Sequence, residues 1–425
     1  MAKLNDYKLQ IFKFEMYGFL KNLRFFEPFL IIYLKEIGAL SLFQIGLLIS
    51  IREIIIYIFE IPSGVIADMY GKKAELIMCF VFYIASFSLF FLGGSVSVGT
   101  GGAFGIFASA MILFGLGEAF RSGTHKSMIM RFLDYHDLKD SKTKIYGRTR
   151  AVSLIGSMVM SLVAILFVLW LPEIGYLFLV SIIPYLLDML LIASYPKYLN
   201  ERRVSTFNLK HFLKENIESI KYTFKTKSVR KLVIDEGLYQ AGYKSIKDYI
   251  QPLVIALSIS GGLVAFGQFS LEQNKEIYIA IIYAIIYLIS SFTSRYSYKV
   301  ARKVNHFTLI NGMWLLTSII ALLIGFFSNN LFVIFVGFIL IYVFLNLRKP
   351  VMIEEIGNAS DTTKRASVLS VEAQLASILL VIFAPIIGFL ADQSYQLMFF
   401  VVSGMMLVIF LFNAIYNFKS MRSDS

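Results

Sequence analysis

The chain has 425 residues, 57% of them hydrophobic and only 16% charged, with a mean hydropathy of +0.71. A soluble domain of this length carries nearer a quarter charged residues, so the composition excludes an ordinary soluble enzyme and points to a polytopic all-α membrane protein. The net charge of +12 does not indicate a nucleic-acid partner, because Lys and Arg gather in alternate links between apolar runs.

Apolar runs of about 20 residues, each long enough to cross roughly 30 Å of hydrocarbon, predict twelve spans. Their limits are near 10–36, 42–66, 73–94, 105–132, 147–171, 174–195, 229–258, 276–298, 306–328, 330–352, 364–391 and 396–418. An even number places both termini on one side. The basic links (Lys72 and Lys73; Lys139, Lys142 and Lys144; Lys299, Arg302 and Lys303) place that side in the cytoplasm of a cell membrane. The longest polar stretch divides the chain into a bundle at 1–195, a central loop at 196–228 and a second bundle at 229–425. Within the loop, Phe207 to Phe224 alternates apolar residues with lysines at helical spacing, which predicts an amphipathic helix on the inner surface.

The N-terminus has no short apolar segment with a small-residue cleavage site, so no cleaved leader is expected. The lone Cys79 cannot form an internal disulfide, and the four histidines have no metal-ligand spacing. Neither metal nor cofactor is expected. No Gly-rich loop ending in Gly-Lys-Ser/Thr is present, which argues against ATP as the energy source.

The second and third spans are joined by Gly64-Val65-Ile66-Ala67-Asp68-Met69-Tyr70-Gly71-Lys72-Lys73. Gly64 is expected to let two helices approach closely, and Gly71 to permit the tight turn. The stretch resembles the loop signature between the second and third helices of the major facilitator superfamily, with Ile66 and Met69 as departures. Gly115 to Gly123 resembles that family's Gly-rich fourth helix, and Arg365-Ala366-Ser367-Val368-Leu369-Ser370 its entry to the eleventh. The resemblance implies two six-helix bundles in the major facilitator fold and a conformational gate formed by Gly64, Asp68, Gly71, Lys72, Lys73 and Arg365. The equivalent loop of the second half, Ser294 to Lys303, keeps its basic charge but loses the Gly and Asp pattern. Gly388-Phe389-Leu390-Ala391-Asp392 copies half of the signature at the opposite face and reads as a helix end.

Charge within hydrocarbon is costly, about 2.5–3.5 kcal/mol at a helix centre, so its placement is informative. The first span carries Lys21, Asn22, Arg24 and Glu27; the fourth carries Glu118, Arg121 and His125. The seventh carries Asp235, Glu236, Gln240, Lys244, Lys247 and Asp248, and the tenth Asn346, Arg348 and Lys349. A period of three helices is what nested three-helix repeats predict, the first helix of each lining the path. Along the seventh span Glu236, Gln240, Lys244 and Asp248 step by four. Arg24 and Glu118 fall at matching depth, and Arg24 is expected to interact with Glu118 or Glu27. Lys13, Glu15, Asp235 and Arg348 read as residues snorkelling to the inner surface. Arg52 and Glu53 are expected to pair with a neighbouring helix, Asp188 has no evident partner, and His125 reads as a packing residue.

The candidate cavity residues are therefore Lys21, Asn22, Arg24, Glu27, Glu118, Arg121, Glu236, Tyr239, Gln240, Tyr243, Lys244 and Asp248. Glu27, Glu118 and Glu236 are the carboxylates able to carry a proton. The expectation is a monomeric secondary transporter, not an enzyme, that moves a small organic molecule by alternating access with protons as the coupling ion, in the export direction. Uptake of an anionic nutrient is the alternative. A non-transporting sensor or lipid-handling protein on the same fold is a third reading.

Overall fold

The computed structural model describes residues 2–96, 102–121, 123–136, 142–200, 209–259, 270–301, 305–361 and 364–423, and every regular element among them is helical. Gly99, Ser205 and Ser260, and the start of the amphipathic segment at Phe207, lie outside the described residues. The chain divides into two compact units. The first holds Met1–Leu40, Leu48–Phe207 and Glu276–Tyr287; the second holds Ser41–Leu47, Asn208–Lys275 and Leu288–Ser425.

The first unit contains α1 (Ala2–Leu20), most of α2 (Leu42–Tyr70), α3 (Lys72–Val96), α4 (Gly102–Arg121), α5 (Thr124–Tyr135), α6 (Lys142–Trp170) and α7 (Tyr176–Ala193). Helix α3 packs on α4 and α7, and α1 packs on α6 and α7. Small residues allow close approach while aromatic rings fill the remaining space. Phe26 stacks on Phe178 at 4.4 Å, Phe178 on Phe90 at 4.9 Å, and Phe26 meets Phe87 edge-on at 4.9 Å. Such ring pairs add to the area they bury.

The second unit contains α8 (Leu209–Lys225), α9 (Lys227–Ile246), α10 (Ile250–Ile259), much of α11 (Leu271–Ala301), α12 (His306–Phe326), α13 (Leu331–Ala359), α14 (Arg365–Gln393) and α15 (Tyr395–Ser423). Helix α9 packs on α14 and α13, and α12 on α15 and α13. Val229, Val233, Ile356, Val368 and Val371 form a buried cluster there. Helix α8 follows the predicted amphipathic segment and packs on α9 and α14, with Tyr222 Oη accepting from the Asp361 N–H at 3.0 Å.

Among the described residues, ten helices are long and apolar enough to cross a membrane. Two predicted spans are outside that set because the helices left there, α1 and α9, carry too many charged residues, and each is also broken within its apolar run. The first span was expected to be continuous over 10–36, yet α1 stops at Leu20. A short tight turn over Glu27–Phe29 and a wide one over Tyr33–Ile37 follow. Pro28 has no N–H to give the Arg24 carbonyl, so Glu27 donates to it instead at 2.9 Å. The seventh span breaks in the same way. Helix α9 ends at Ile246, Pro252 cannot donate to the Asp248 carbonyl, and Gln251 does so at 3.1 Å. Asp248 therefore leaves the stripe shared by Glu236, Gln240 and Lys244. The fourth apolar run is also interrupted, between α4 and α5, where Gly123 adopts a left-handed φ of 74°. That conformation suits a residue without a Cβ.

Candidate functional site

In the first unit, two arginines converge on one carboxylate. Glu118, near the end of α4, pairs with Arg24 at 2.7 Å and with Arg121 one turn on. The interruption after α1 frees the Arg24 stem to reach across. Its Nε donates to Tyr185 Oη at 2.5 Å, and its guanidinium lies 5.2 Å from the Tyr83 ring and 5.0 Å from that of Phe114. Arg121 Nε donates to Tyr83 Oη at 3.2 Å. Two guanidiniums thus face one carboxylate, and the cluster carries one positive charge in excess. The depth matching of Arg24 with Glu118 is realised.

Beside this cluster lies a cavity of about 250 Å³, walled by Tyr17, Lys21, Arg121, His125, Lys126 and the hydroxyl residues Thr149 and Ser153, among others. Lys21 lies over the Tyr17 ring at 5.7 Å. Asn22 is turned away into packing, donating to the Ser153 carbonyl at 2.5 Å and to its Oγ at 2.7 Å. His125 stacks on Tyr17 at 3.6 Å and shares a hydrogen bond of 3.0 Å with Tyr195. Glu27 sits half-buried in the tight turn that follows the break.

The second unit holds the converse arrangement, in a place the sequence did not suggest. Asp235 and Arg348 were expected at the inner surface, but Arg348 is fully buried and Asp235 is 7% exposed. Arg348 pairs with Asp235 and, at 2.9 Å, with Glu236, and donates to the Ile310 carbonyl at 2.7 Å. Trp314 Nε1 and Asn413 Nδ2 donate to Asp235 Oδ1 at 2.9 and 2.6 Å. Gln240 donates to Glu236 at 2.9 Å. Here one guanidinium faces two carboxylates, and the cluster carries one negative charge in excess. Glu15, also expected near water, is likewise buried and pairs with Arg148 at 2.5 Å.

Tyr239 serves this core: its ring lies 4.3 Å below Arg348 and edge-on to Trp314, with its hydroxyl bonded to Thr317 at 3.0 Å. Tyr243 is buried edge-on against Tyr342 at 5.4 Å. Lys244 is half-buried on the last turn of α9, and Asp248 pairs with Lys247 at 2.5 Å beyond it. Arg52 and Glu53 pair with each other at 2.9 Å.

The hairpin between α2 and α3 narrows to Gly71 alone, with φ of 96°. Asn200 Oδ1 accepts from the Lys73 N–H at 2.8 Å, and a Cβ on Gly71 would stand 2.5 Å from that same oxygen. Lys73 Nζ donates to the carbonyls of Ala193 and Tyr195 at 2.7 and 2.8 Å, capping the end of α7. Lys72 is half-buried and Arg365 is exposed at the start of α14. Asp68 lies in α2, and its side chain is outside the described set. The close helix approach expected at Gly64 is not found among the described residues, where a Cβ would meet nothing within 4 Å.

One contact region escaped sequence reasoning. Asp392, read as a mere helix end, accepts the backbone N–H groups of Leu42 and Phe43 at 2.8 Å each, capping the start of α2. Gly46 and Gly388 let the backbones meet there, since a Cβ on either would lie within 2.4 Å of a facing carbonyl oxygen. Asp188 on α7 is fully buried, and neither carboxylate oxygen has a hydrogen-bond partner among the described residues.

A helical bundle with ten apolar helices of membrane-crossing length among the described residues defines the class as a polytopic membrane protein. The Major Facilitator Superfamily model matches residues 22–347, and the chain belongs to that family. It is 28% identical over 253 residues to the uncharacterized MFS-type transporter YxaM of Bacillus subtilis (strain 168), an alignment covering 58% of this chain. The chain thus spans 59% of the length of that curated relative. Among solved structures, a mutant of the nucleoside transporter NupG superposes with a TM-score of 0.79 at 11% identity, covering 95% of this chain and 99% of that one. A POT family transporter in complex with 5-aminolevulinic acid gives 0.70 at 14% identity, covering 96% and 95%. A mutant peptide transporter POT in complex with sulfate gives 0.73 at 13% identity, covering 96% and 94%. At these identities the likeness is one of fold.

Proposed function

We propose that the chain is a secondary active transporter that moves a small organic molecule by alternating access, with protons as the coupling ion. The observation that carries this reading is the buried cluster in which Asp235 and Glu236 share Arg348. Its one negative charge in excess is what a proton neutralises, and buried carboxylates change proton affinity as their solvation and partner cation change. Glu236 is therefore the first carboxylate we assign to coupling, ahead of Glu118, which two arginines already hold. Glu27 follows.

The broken segments at Leu20–Glu27 and Ile246–Ile250 complete a plan of twelve spans in two bundles of six, with both termini cytoplasmic. The Gly64–Lys73 hairpin acts as a gate element at that face, and the carrier works as a monomer in the cell membrane. Export of a small organic compound is one direction. A second, uptake of an anionic nutrient, is favoured by the cavity lined by Lys21, Arg121, His125 and Lys126. Drawing an anion into a cell against an inside-negative potential costs about 2.3 kcal/mol per charge at 100 mV, which proton co-transport offsets.

The test is flux into proteoliposomes of cationic, neutral and anionic solutes under imposed pH gradients of either sign. Gradient-dependent flux that vanishes in Glu236→Gln supports the reading, and flux indifferent to the gradient removes proton coupling. Transport of anions, weakened by Lys21→Gln and driven by a gradient that carries protons inward with the solute, supports the second reading.

A further inference from the structure

A groove of about 390 Å³ runs along the second unit between α9 and α15. Its walls are Ile234 and Leu238 from one helix and Val408, Ile409 and Phe412 from the other. Val408 and Phe412 stand 65% and 67% exposed at its lip. On α9 the groove residues recur every three or four positions, so they form one stripe. Three of them, Lys227, Arg230 and Lys231, stand together at the N-terminal end of that stripe. The positive end of the α9 dipole lies at the same place.

From Lys227 to Leu238 the stripe measures about 16 Å at 1.5 Å per residue. That is close to half the ~30 Å hydrocarbon thickness, which is the depth of one leaflet. A cationic cluster with an apolar channel one leaflet deep is complementary to a phosphate-bearing head with an acyl chain behind it.

The acidic residue in the groove does not oppose this. Asp235 lies at the floor with its carboxylate committed inward, to Trp314 and Asn413 through one oxygen and to Arg348 through the other. The two helices meet at this floor through the Asn413–Asp235 bond and stand apart above it.

We infer that this groove is a binding site for an anionic phospholipid, its head held by Lys227, Arg230 and Lys231 and one acyl chain laid along Ile234, Leu238, Val408 and Phe412. Lys231 is one turn from Asp235, so the lipid head sits directly above the Arg348 cluster and its occupancy bears on that cluster. The inference stands apart from the assignment of substrate or coupling ion.

The test uses the purified full chain, delipidated in neutral detergent and offered mixed micelles of phosphatidylglycerol or phosphatidylcholine, with retained lipid read by native mass spectrometry. Phosphatidylglycerol should be retained preferentially. Arg230→Gln with Lys231→Gln should weaken its retention about 30-fold, from two surface cations each acting on an anionic head. Val408→Trp, which obstructs the groove and leaves every charge in place, should abolish the preference. Melting temperature checks that both variants remain folded. Equal retention of the two lipids would overturn the inference, as would unaltered binding in Val408→Trp. Displacement of the lipid by millimolar inorganic phosphate would also overturn it, because the site would then recognise a free anion rather than a lipid.

Discussion

Replacing Arg348 by Met keeps an unbranched, shorter apolar stem and deletes the charge. The change removes the ion pairs to Asp235 and Glu236, the bond to the Ile310 carbonyl at 2.7 Å and the contact with the Tyr239 ring at 4.3 Å. Two carboxylates, 7% and 2% exposed, then share a site with no cation. Breaking a buried pair by removing one partner costs about 3–5 kcal/mol. For a unit of some two hundred residues this corresponds to a fall in melting temperature of roughly 6–20 °C. The loss can be followed in detergent by intrinsic fluorescence, since Trp314 donates to Asp235 at 2.9 Å and reports locally. Adding Asp235→Asn and Glu236→Gln to Arg348→Met removes all the charge and should return most of the stability, because uncharged replacements of buried ion networks are often tolerated. The same triple variant should still fail to couple flux to a pH gradient. A melting temperature within about 2 °C of wild type for Arg348→Met alone would refute the assigned burial, and gradient-driven flux in the triple variant would refute the coupling role.

Other outcomes follow from separate parts of the molecule. Glu118→Gln leaves Arg24 and Arg121 without their carboxylate and should destabilise the first unit by about 3–5 kcal/mol; adding Arg121→Gln should recover part of that in the same melting assay. Asp392→Ala should cost about 0.5–2 kcal/mol as the loss of a helix cap, whereas Asp392→Asn, which keeps an acceptor oxygen, should cost less. Asp68→Asn should leave the protein folded while slowing transport, as measured by initial flux rates in proteoliposomes. With Cys79 replaced, cysteines at Gly99 and Ser260 should react with an impermeant reagent applied to intact cells and one at Ser205 should not; labelling of Ser205 would reverse the orientation.

Much of the fold was legible because hydrophobic length and basic links are local properties. The Gly71 turn was legible for the same reason: one residue with a positive φ joins two long helices. The breaks were not anticipated, although Pro28 and Pro252 lie inside apolar runs, where each denies a donor to the Arg24 or Asp248 carbonyl. Reading access to water from position along the run also missed where side chains are buried. Asp235 and Arg348 were assigned to the surface by distance along the chain, whereas Trp314, Asn413 and Ile310 supply a polar pocket that chain position does not reveal. Glu118 with Arg24 was legible because opposite charges at equal depth need each other in hydrocarbon. Asp392 was not, since its partners are main-chain groups that any residue at 42 and 43 would present.

The Asp392 cap has a consequence for assembly order. Its acceptors and donors are separated by 350 and 349 residues, almost the full length of the chain. At synthesis rates of about 5–20 residues per second, the N-terminal end of α2 emerges roughly 17–70 s before the carboxylate that caps it. During that interval the Leu42 and Phe43 N–H groups rely on water or another acceptor, which suits a helix end at the membrane surface better than one within it. The Gly46 and Gly388 crossing closes only after α14 has been made, so the contact that fixes the start of an early helix belongs to the last stage of biogenesis.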